Sequence, residues 1–416
     1  MDASRKRART GSTSAEDRLS ALPDALIHTI MSFLKAHQVV QTCVLAKRWT
    51  HLWRSVPNLD IDLPEFNCKI NKDDRATIVA RYEKFVDFAD YLLVHRHQDG
   101  TFLDTFRLQV DSRHQLRPED AGRWVRRGLK CSPRVLHVQN VLNYGYKYNT
   151  VPLELWSGPP SSCRLTKLHL CGVLLNCSFT EQISSVCDVL EEMELKSCEI
   201  KFQKITSPSL KCLIIHRCYA RCESKLIITA PHLASLHLNI CEDYGFKVLV
   251  LNEMLSLVKA SIYSGISSPG DVVLLSSLSN VTSLELLGFH KQLLLDEEPV
   301  EFPAFKNLTT LLVDDCQLGD KFLLLRHFLQ NSPNLERLIV KCCQFSKGSN
   351  KGKGKARSKK SSQCQDAVQF SCWKLKYTEI TYEDNDNIGP LVKVLLDVSD
   401  RLLKNTITLT KVGASV

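Results

Sequence analysis

What most limits the fold of this chain is a spaced apolar unit, L-x-x-L-x-L, that recurs along more than half of it. It stands as LTKLHL from residue 165, LEEMEL from 190, LKCLII from 210 and LASLHL from 233. Degraded copies follow as LVKASI from 257 and VTSLEL from 281, then clear ones as LTTLLV from 308 and LERLIV from 335. The starts are 25, 20, 23, 24, 24, 27 and 27 residues apart, and weaker copies stand at Leu103 (LDTFRL) and Pro133 (PRVLHV). A unit this short cannot bury its own apolar face, so each copy must stack on the next. The expectation is an α/β solenoid, with one short strand per repeat on a concave side and helices or irregular turns outside.

Five cysteines keep the same register. Cys198, Cys218, Cys241, Cys316 and Cys343 each lie three residues beyond the last apolar position of their unit. The chain must turn inward there, and a small buried residue with weak hydrogen-bonding capacity suits the turn. These five are expected to be structural rather than metal-ligating or redox-sensing. Among the 17 cysteines no CxxC occurs, which counts against the common zinc frameworks.

Ahead of the repeats runs DRLSALPDALIHTIMSFLKAHQVVQTCVLAKRWTHLWRSVPNLDID. Pro23 and Asp24 suit the start of a helix, since proline is tolerated in the first turn and an early acid favours the dipole. Leu26, Ile27, Ile30, Phe33 and Leu34 follow at helical spacing. A second helix is expected from near His37, with Val39, Val40, Cys43 and Val44 on one face. Trp49, Leu52 and Trp53 continue the apolar surface, and Pro57 ends it. So few residues make a marginal core, and an apolar edge left on it would mark a partner site. Within CVLAKRWTHLW, residues 43–53, Lys47, Arg48 and Arg54 surround the two tryptophans. Such a turn could stack nucleic-acid bases, fill a core or close a docking surface. The spacing of Trp49 and Trp53 puts both rings on one side of a helix, which favours packing.

The remaining organisation follows from composition. Residues 1–15 read as a disordered basic tail, 16–60 as the helical module, 61–100 as a linker or first helical segment and 101–345 as repeats. Residues 346–366 are rich in Lys, Gly and Ser and read as a flexible insertion. From 367 to 412 the pattern is strand (KLKYTEITY), helix (Ile388, Leu391, Val392, Val394, Leu395 and Leu396) and strand (ITL at 407–409). Such a segment would cap the open end of the solenoid.

Net charge is +9, but residues 1–9 carry +3 and residues 346–365 carry +7, so everything else sits at about −1. A basic nucleic-acid face on the folded body is therefore not supported. The opening MDASRKRART has no apolar stretch of a secretory leader, and no window is apolar enough to span a membrane. Free thiols in a reducing compartment are expected. The RKRAR run at 5–9 reads equally as a nuclear import signal or a solvated tail, whereas the lysine-rich insertion reads first as a solvated loop, with a second import signal or a contact to an acidic partner as alternatives. No G-x-x-x-x-G-K-[ST], H-E-x-x-H or G-x-S-x-G occurs, so a catalytic reading finds little support, and no cofactor is implied. His169 and His237 sit at alternating strand positions, as do Glu194, Ile214 and Glu285. All five belong to the variable surface on which a solenoid carries its specificity.

Taken together, LPD at 22–24, I-x-x-F-L at 30–34, TCVLAKRW at 42–49 and LW at 52–53 resemble an F-box of the large plant F-box/leucine-rich-repeat family. The repeats and an FBD-like segment from about 370 agree with that family in order and kind, so the resemblance covers nearly the whole chain. His37, Gln41 and Ala46-Lys47 depart from it, standing where close relatives often have Arg or a Ser-Arg pair. The resemblance implies a non-catalytic receptor subunit of a Skp–cullin–F-box ubiquitin ligase, in the nucleus and/or cytoplasm. Docking on a Skp-type adaptor, and through it a cullin, would use Leu22, Pro23, Leu26, Ile27, Ile30, Leu34, Val39, Cys43, Val44 and Leu45. Trp49 and Trp53 would buttress the last helix, and the solenoid would hold a target protein. Two other readings are a repeat scaffold without ligase role and a nucleic-acid binder using the basic runs, the latter marked by steep salt dependence.

Overall fold

The computed structural model describes residues 21–66, 75–98, 102–111, 117–141, 150–156, 163–220, 224–240, 246–252, 254–264, 270–289, 302–318, 322–343, 372–383, 388–398 and 405–411. The basic tail and the lysine-rich insertion lie outside them, as does Cys241.

One sheet of thirteen strands runs the length of the molecule, and every neighbouring pair is parallel and consecutive in the sheet's order. Each L-x-x-L-x-L unit supplies one strand, such as Lys167–Cys171, Glu192–Lys196, Cys212–His216 and Thr310–Asp314. The degraded units do the same, at Lys259–Ser264 and Ser283–Leu287, and the weak ones at Thr105–Asp111 and Val135–Val141. Burial alternates along each strand, and the inward pairs Leu168/Leu170, Met193/Leu195, Leu213/Ile215 and Leu311/Val313 are at most 1% exposed. That alternation is the period of two that a half-buried strand requires.

The turn after each strand explains the cysteines. After six of the strands the first residue beyond takes a left-handed conformation: Gly172 (φ 69°), Ser197 (49°), Arg217 (51°), Gly288 (69°), Asp315 (50°) and Cys342 (47°). In each case the very next residue is the inward one: Val173, Cys198, Cys218, Phe289, Cys316 and Cys343, all at most 4% exposed. The left-handed residue donates its N–H forward to the following repeat, Ser197 to the His216 carbonyl at 2.8 Å and Asp315 to Lys341 at 3.0 Å. The thiol reaches backward, Cys198 to the Leu170 carbonyl at 3.4 Å, Cys218 to Leu195 at 3.3 Å, Cys316 to Leu286 at 3.6 Å and Cys343 to Val313 at 3.6 Å. One turn thus bonds to the repeat on either side. At Gly288 the positive φ disfavours a side chain and the neighbouring ring opposes one, because a Cβ would lie 2.6 Å from Tyr263.

The other side of the repeats is mixed. Helices fill it at α4 (Pro118–Leu129), α5 (Cys177–Val186), α6 (Gly270–Ser277), α7 (Leu323–Asn331) and α8 (Gly389–Val398), where α1 to α3 precede the repeats at Asp24–Met31, Ala36–Gln41 and Arg75–Gln98. In the middle, short strands replace helices and form two further three-stranded parallel sheets, which the expectation of helices or irregular turns did not include.

One further expectation changes, one choice is decided and one is met. The sheet begins at Asn58–Asp62, paired with Thr105–Asp111, so the first strand lies well before residue 101 and within the helical module's expected span. Of the two readings of 61–100, a linker or a first helical segment, the helical one holds for residues 75–98, a single helix of 24 residues packed on the repeats. At the other end, Tyr377–Tyr382, α8 and Thr406–Lys411 give the expected strand, helix and strand, yet both strands simply prolong the parallel sheet. Among the described residues Thr406–Lys411 is the last strand of the sheet, so the segment ends the stack of repeats.

Candidate functional site

The N-terminal module folds from short pieces. Pro23 and Asp24 open α1 as their chemistry suggests, and α2 starts at Ala36. CVLAKRWTHLW, however, is not one helix. It breaks into 3-10 turns at Thr42–Val44, Lys47–Thr50 and Leu52–Ser55, because Ala46 is extended (φ −155°, ψ 145°). Trp49 and Trp53 therefore do not share a helix face, though both are buried, at 5% and 7% exposure. They fill the core and offer no platform for stacking bases. Arg48 turns back to bond Asp24, holding the last part of the module against the first. The Cys43 thiol closes the same turn, 3.6 Å from the Trp49 carbonyl, and burial pushes its pKa up.

The residues expected to dock a partner divide into two sets. Ile27 and Val39 join Met31, Ala36, Trp49 and Trp53 inside, so they support the surface from beneath without forming it. Leu22, Leu34 and Cys43 are half-buried against that core. Pro23 is exposed, and the larger apolar side chains stand far out: Leu26 at 51%, Ile30 at 45%, Val44 at 88% and Leu45 at 64%. Phe33, at 84%, joins them. It lay inside the I-x-x-F-L stretch at helical spacing, so the signal for it was present. A small domain that leaves an aromatic ring and four branched aliphatic chains in water on so few residues presents an apolar patch of the kind that marks a contact site.

This patch is held in place by a bridge to the repeats. Lys35, at the start of α2, pairs with the buried Asp62 carboxylate in the first strand, and that hydrogen bond raises the lysine's pKa against the opposing effect of burial. Arg96, 1% exposed at the end of α3, donates to the Trp53 carbonyl at 3.0 Å and to that of Val56. An aromatic column continues the connection. His37 lies 4.7 Å from Phe66, Phe66 5.3 Å from Phe85 and Phe85 5.1 Å from Trp124 on α4. On α3, Asp90 accepts from the Trp124 indole at 2.8 Å and from Arg127 at 2.6 Å. Tyr82 donates to Asp120 at 2.6 Å, and its own pKa is pushed up by burial and by that carboxylate.

Comparison with known proteins fits both halves of this arrangement. An F-box domain matches residues 19–60, and the family described as "At1g61320/AtMIF1, LRR domain" matches residues 158–409. A rice protein named MEIOTIC F-BOX protein MOF (Oryza sativa subsp. japonica) is 33% identical over 88% of this chain and 80% of its own length. The chain belongs to the plant F-box/leucine-rich-repeat family. Two Arabidopsis thaliana members agree with it, the putative FBD-associated F-box protein At5g56440 at 30% identity over 79% of this chain and 80% of its own, and the F-box/FBD/LRR-repeat protein At5g22660 at 26% over 79% and 77%.

In this F-box/LRR protein the open face of the sheet is the other candidate surface. Register sets His169 beside His137 and Glu194, and Ile214 beside His237. His169 Nδ1 lies 2.7 Å from the Glu194 carboxylate, whose other oxygen is 2.5 Å from Lys196, while Lys167 pairs with Glu192 at 2.7 Å. Burial pushes Glu194 up, but the hydrogen bonds from Lys196 and His169 more than reverse it and leave its carboxyl below the ordinary range. Further along, Glu285 stands beside Ser261 and Leu312. There the face turns apolar, with Tyr263 beside Leu287 and Leu312 beside Ile339, all half-buried. Among the described residues no helix is long and apolar enough to cross a membrane.

Proposed function

We propose that this protein is the target-recognition subunit of a Skp–cullin–F-box ubiquitin ligase and itself performs no catalysis. The observation that carries this reading is the exposed set Leu26, Ile30, Phe33, Val44 and Leu45 on a module that matches the F-box. Against water such a patch is a cost; against a Skp-type adaptor it is a driving force of about 25 cal/mol for each Å² of apolar surface removed from water. The adaptor in turn carries the cullin, and a separate enzyme transfers ubiquitin. The target is a protein lying on the open face of the sheet. Its apolar anchors fit Tyr263, Leu287, Leu312 and Ile339, and its polar groups fit the His169–Glu194 region. Nucleus and cytoplasm both suit such a receptor.

Binding of the purified chain to a Skp-type adaptor tests the proposal. Wild-type binding should be tight, and Ile30→Glu and Phe33→Glu should each weaken it by about 30-fold or more, the equivalent of removing one interface anchor. A folded wild-type chain that does not bind overturns the reading and leaves a repeat scaffold without ligase role.

A further inference from the structure

Among the described residues every cysteine is a free thiol, and those that follow the strands as inward turn residues fit the reading of thiols as filler. In the repeat turns the sulfur donates to a backbone carbonyl and is sealed inside. Cys163 and Cys187 differ. Neither stands at the turn position, and their sulfurs are 3.4 Å apart; thiols also meet in the turn pairs Cys198–Cys218 and Cys316–Cys343, but those four are sealed inside. Cys187 is 1% exposed, while Cys163 is half-buried.

We propose that Cys163 and Cys187 form a dithiol site that a hydroperoxide oxidises to a disulfide. The Cys163 thiolate attacks the peroxide oxygen; the O–O bond breaks, hydroxide leaves and a sulfenic acid remains. Cys187 sulfur then attacks the Cys163 sulfur, the S–O bond breaks and water leaves with the Cys187 proton. Each peroxide consumed oxidises two thiols and yields one disulfide, which an added dithiol reverses.

The local chemistry assigns the two roles. Cys187 terminates α5, its N–H bonded to the Ile183 carbonyl at 3.2 Å. A helix C-terminus carries partial negative charge and opposes a thiolate there, so Cys187 keeps its proton and donates it to Cys163. That hydrogen bond, against the opposing effect of burial, brings the Cys163 pKa down to about 7, while the same contact and burial push Cys187 up. Attacking and resolving thiols are thus distinguished before any oxidant arrives. The bond would tie the segment leading into the His169 strand to the end of α5.

The test treats the full chain with dilute hydrogen peroxide, blocks remaining thiols with iodoacetamide and maps linked peptides after non-reducing digestion. A Cys163–Cys187 link that dithiothreitol removes is expected. It should form before the more exposed Cys177 and Cys342 are oxidised. In Cys187→Ser, dimedone should label Cys163; in Cys163→Ser, Cys187 should stay unlabelled. Cys163→Ala and Cys187→Ala, checked for cooperative unfolding, repeat the assignment if a serine variant misfolds. If both thiols of the folded wild-type chain remain alkylatable after denaturation, or if oxidation begins at Cys177 or Cys342, the proposal is overturned.

Discussion

The repeat body and the N-terminal module use the same residues in opposite ways. In the body, leucines and cysteines are covered within the chain, because each repeat closes over the one before it. Leu311, for example, has neighbours from both adjoining strands and is wholly buried. In the module, Leu26, Ile30, Phe33, Val44 and Leu45 remain outside although the core beneath them is complete. An apolar side chain therefore says little about its role until its neighbours are known. Where they come from the same chain it stabilises the fold; where the chain supplies none, it is free to stabilise a complex.

The sharpest way to break this comparison is a matched pair of substitutions. Leu311→Ala should lower stability by about 2–5 kcal/mol, the range for emptying a packed leucine site, and leave adaptor affinity unchanged. Phe33→Ser should alter stability by no more than about 0.5 kcal/mol, as surface substitutions do, and weaken adaptor binding by about 30-fold, as loss of one interface anchor does. Urea unfolding and adaptor titration on the same samples measure both. A Phe33→Ser chain that loses as much stability as Leu311→Ala would mean that Phe33 is covered in the free protein, and the comparison would fall.

Most of the body was legible in the sequence because a period of two on a fixed repeat leaves little choice of face. Even LVKASI and VTSLEL, with poor matches, keep their strands through parallel pairing to good neighbours. The cysteine turns were legible for the same reason, though not the left-handed residue before each, since Ser197, Arg217, Asp315 and Cys342 share no side-chain chemistry. The exposed apolar set of the module was legible only in composition. Spacing predicted a continuous helix through CVLAKRWTHLW, whereas the extended Ala46 breaks it, and a backbone choice of that kind has no period. Ile27 and Val39 went to the core for a related reason: a helix has two flanks, and only the third dimension decides which one meets the rest of the module.

The bridge between the two regions offers a smaller effect. Arg96→Ala removes the donors to the Trp53 and Val56 carbonyls and should cost about 1.5–3 kcal/mol, as for a hydrogen bond to a charged group. Its signature is position: amide exchange should rise in residues 47–57 before it rises in the repeats. Uniform loss of protection would show that module and body unfold as one unit. Tyr82→Phe, which takes the hydroxyl from buried Asp120, should cost a similar or smaller amount, about 1–3 kcal/mol. That loss should be felt at the α3–α4 contact and leave adaptor binding intact.

Acid should separate the regions most gently of all. Burial holds His137, His216 and His237 below the ordinary histidine pKa, with neighbouring His169 and Arg107, Arg217 and His237, and Lys196 adding to it respectively. The unfolded chain then takes up these protons at higher pH than the fold does. Their contribution is complete above the unfolded value of about 6.5 and is lost as pH falls through the lower folded values. Glu194, also depressed, keeps its contribution above an unfolded value of about 4.3 and loses it only further down. Stability should therefore fall in two steps. His137→Gln with His237→Gln should flatten the upper step, and Glu194→Gln only the lower one, as thermal unfolding across a pH series would record. Contacts between apolar side chains bind no protons, so adaptor affinity should change less than the body's stability across the upper step. An affinity that tracks the histidine step would place a titrating group inside the docking patch and tie the two surfaces together.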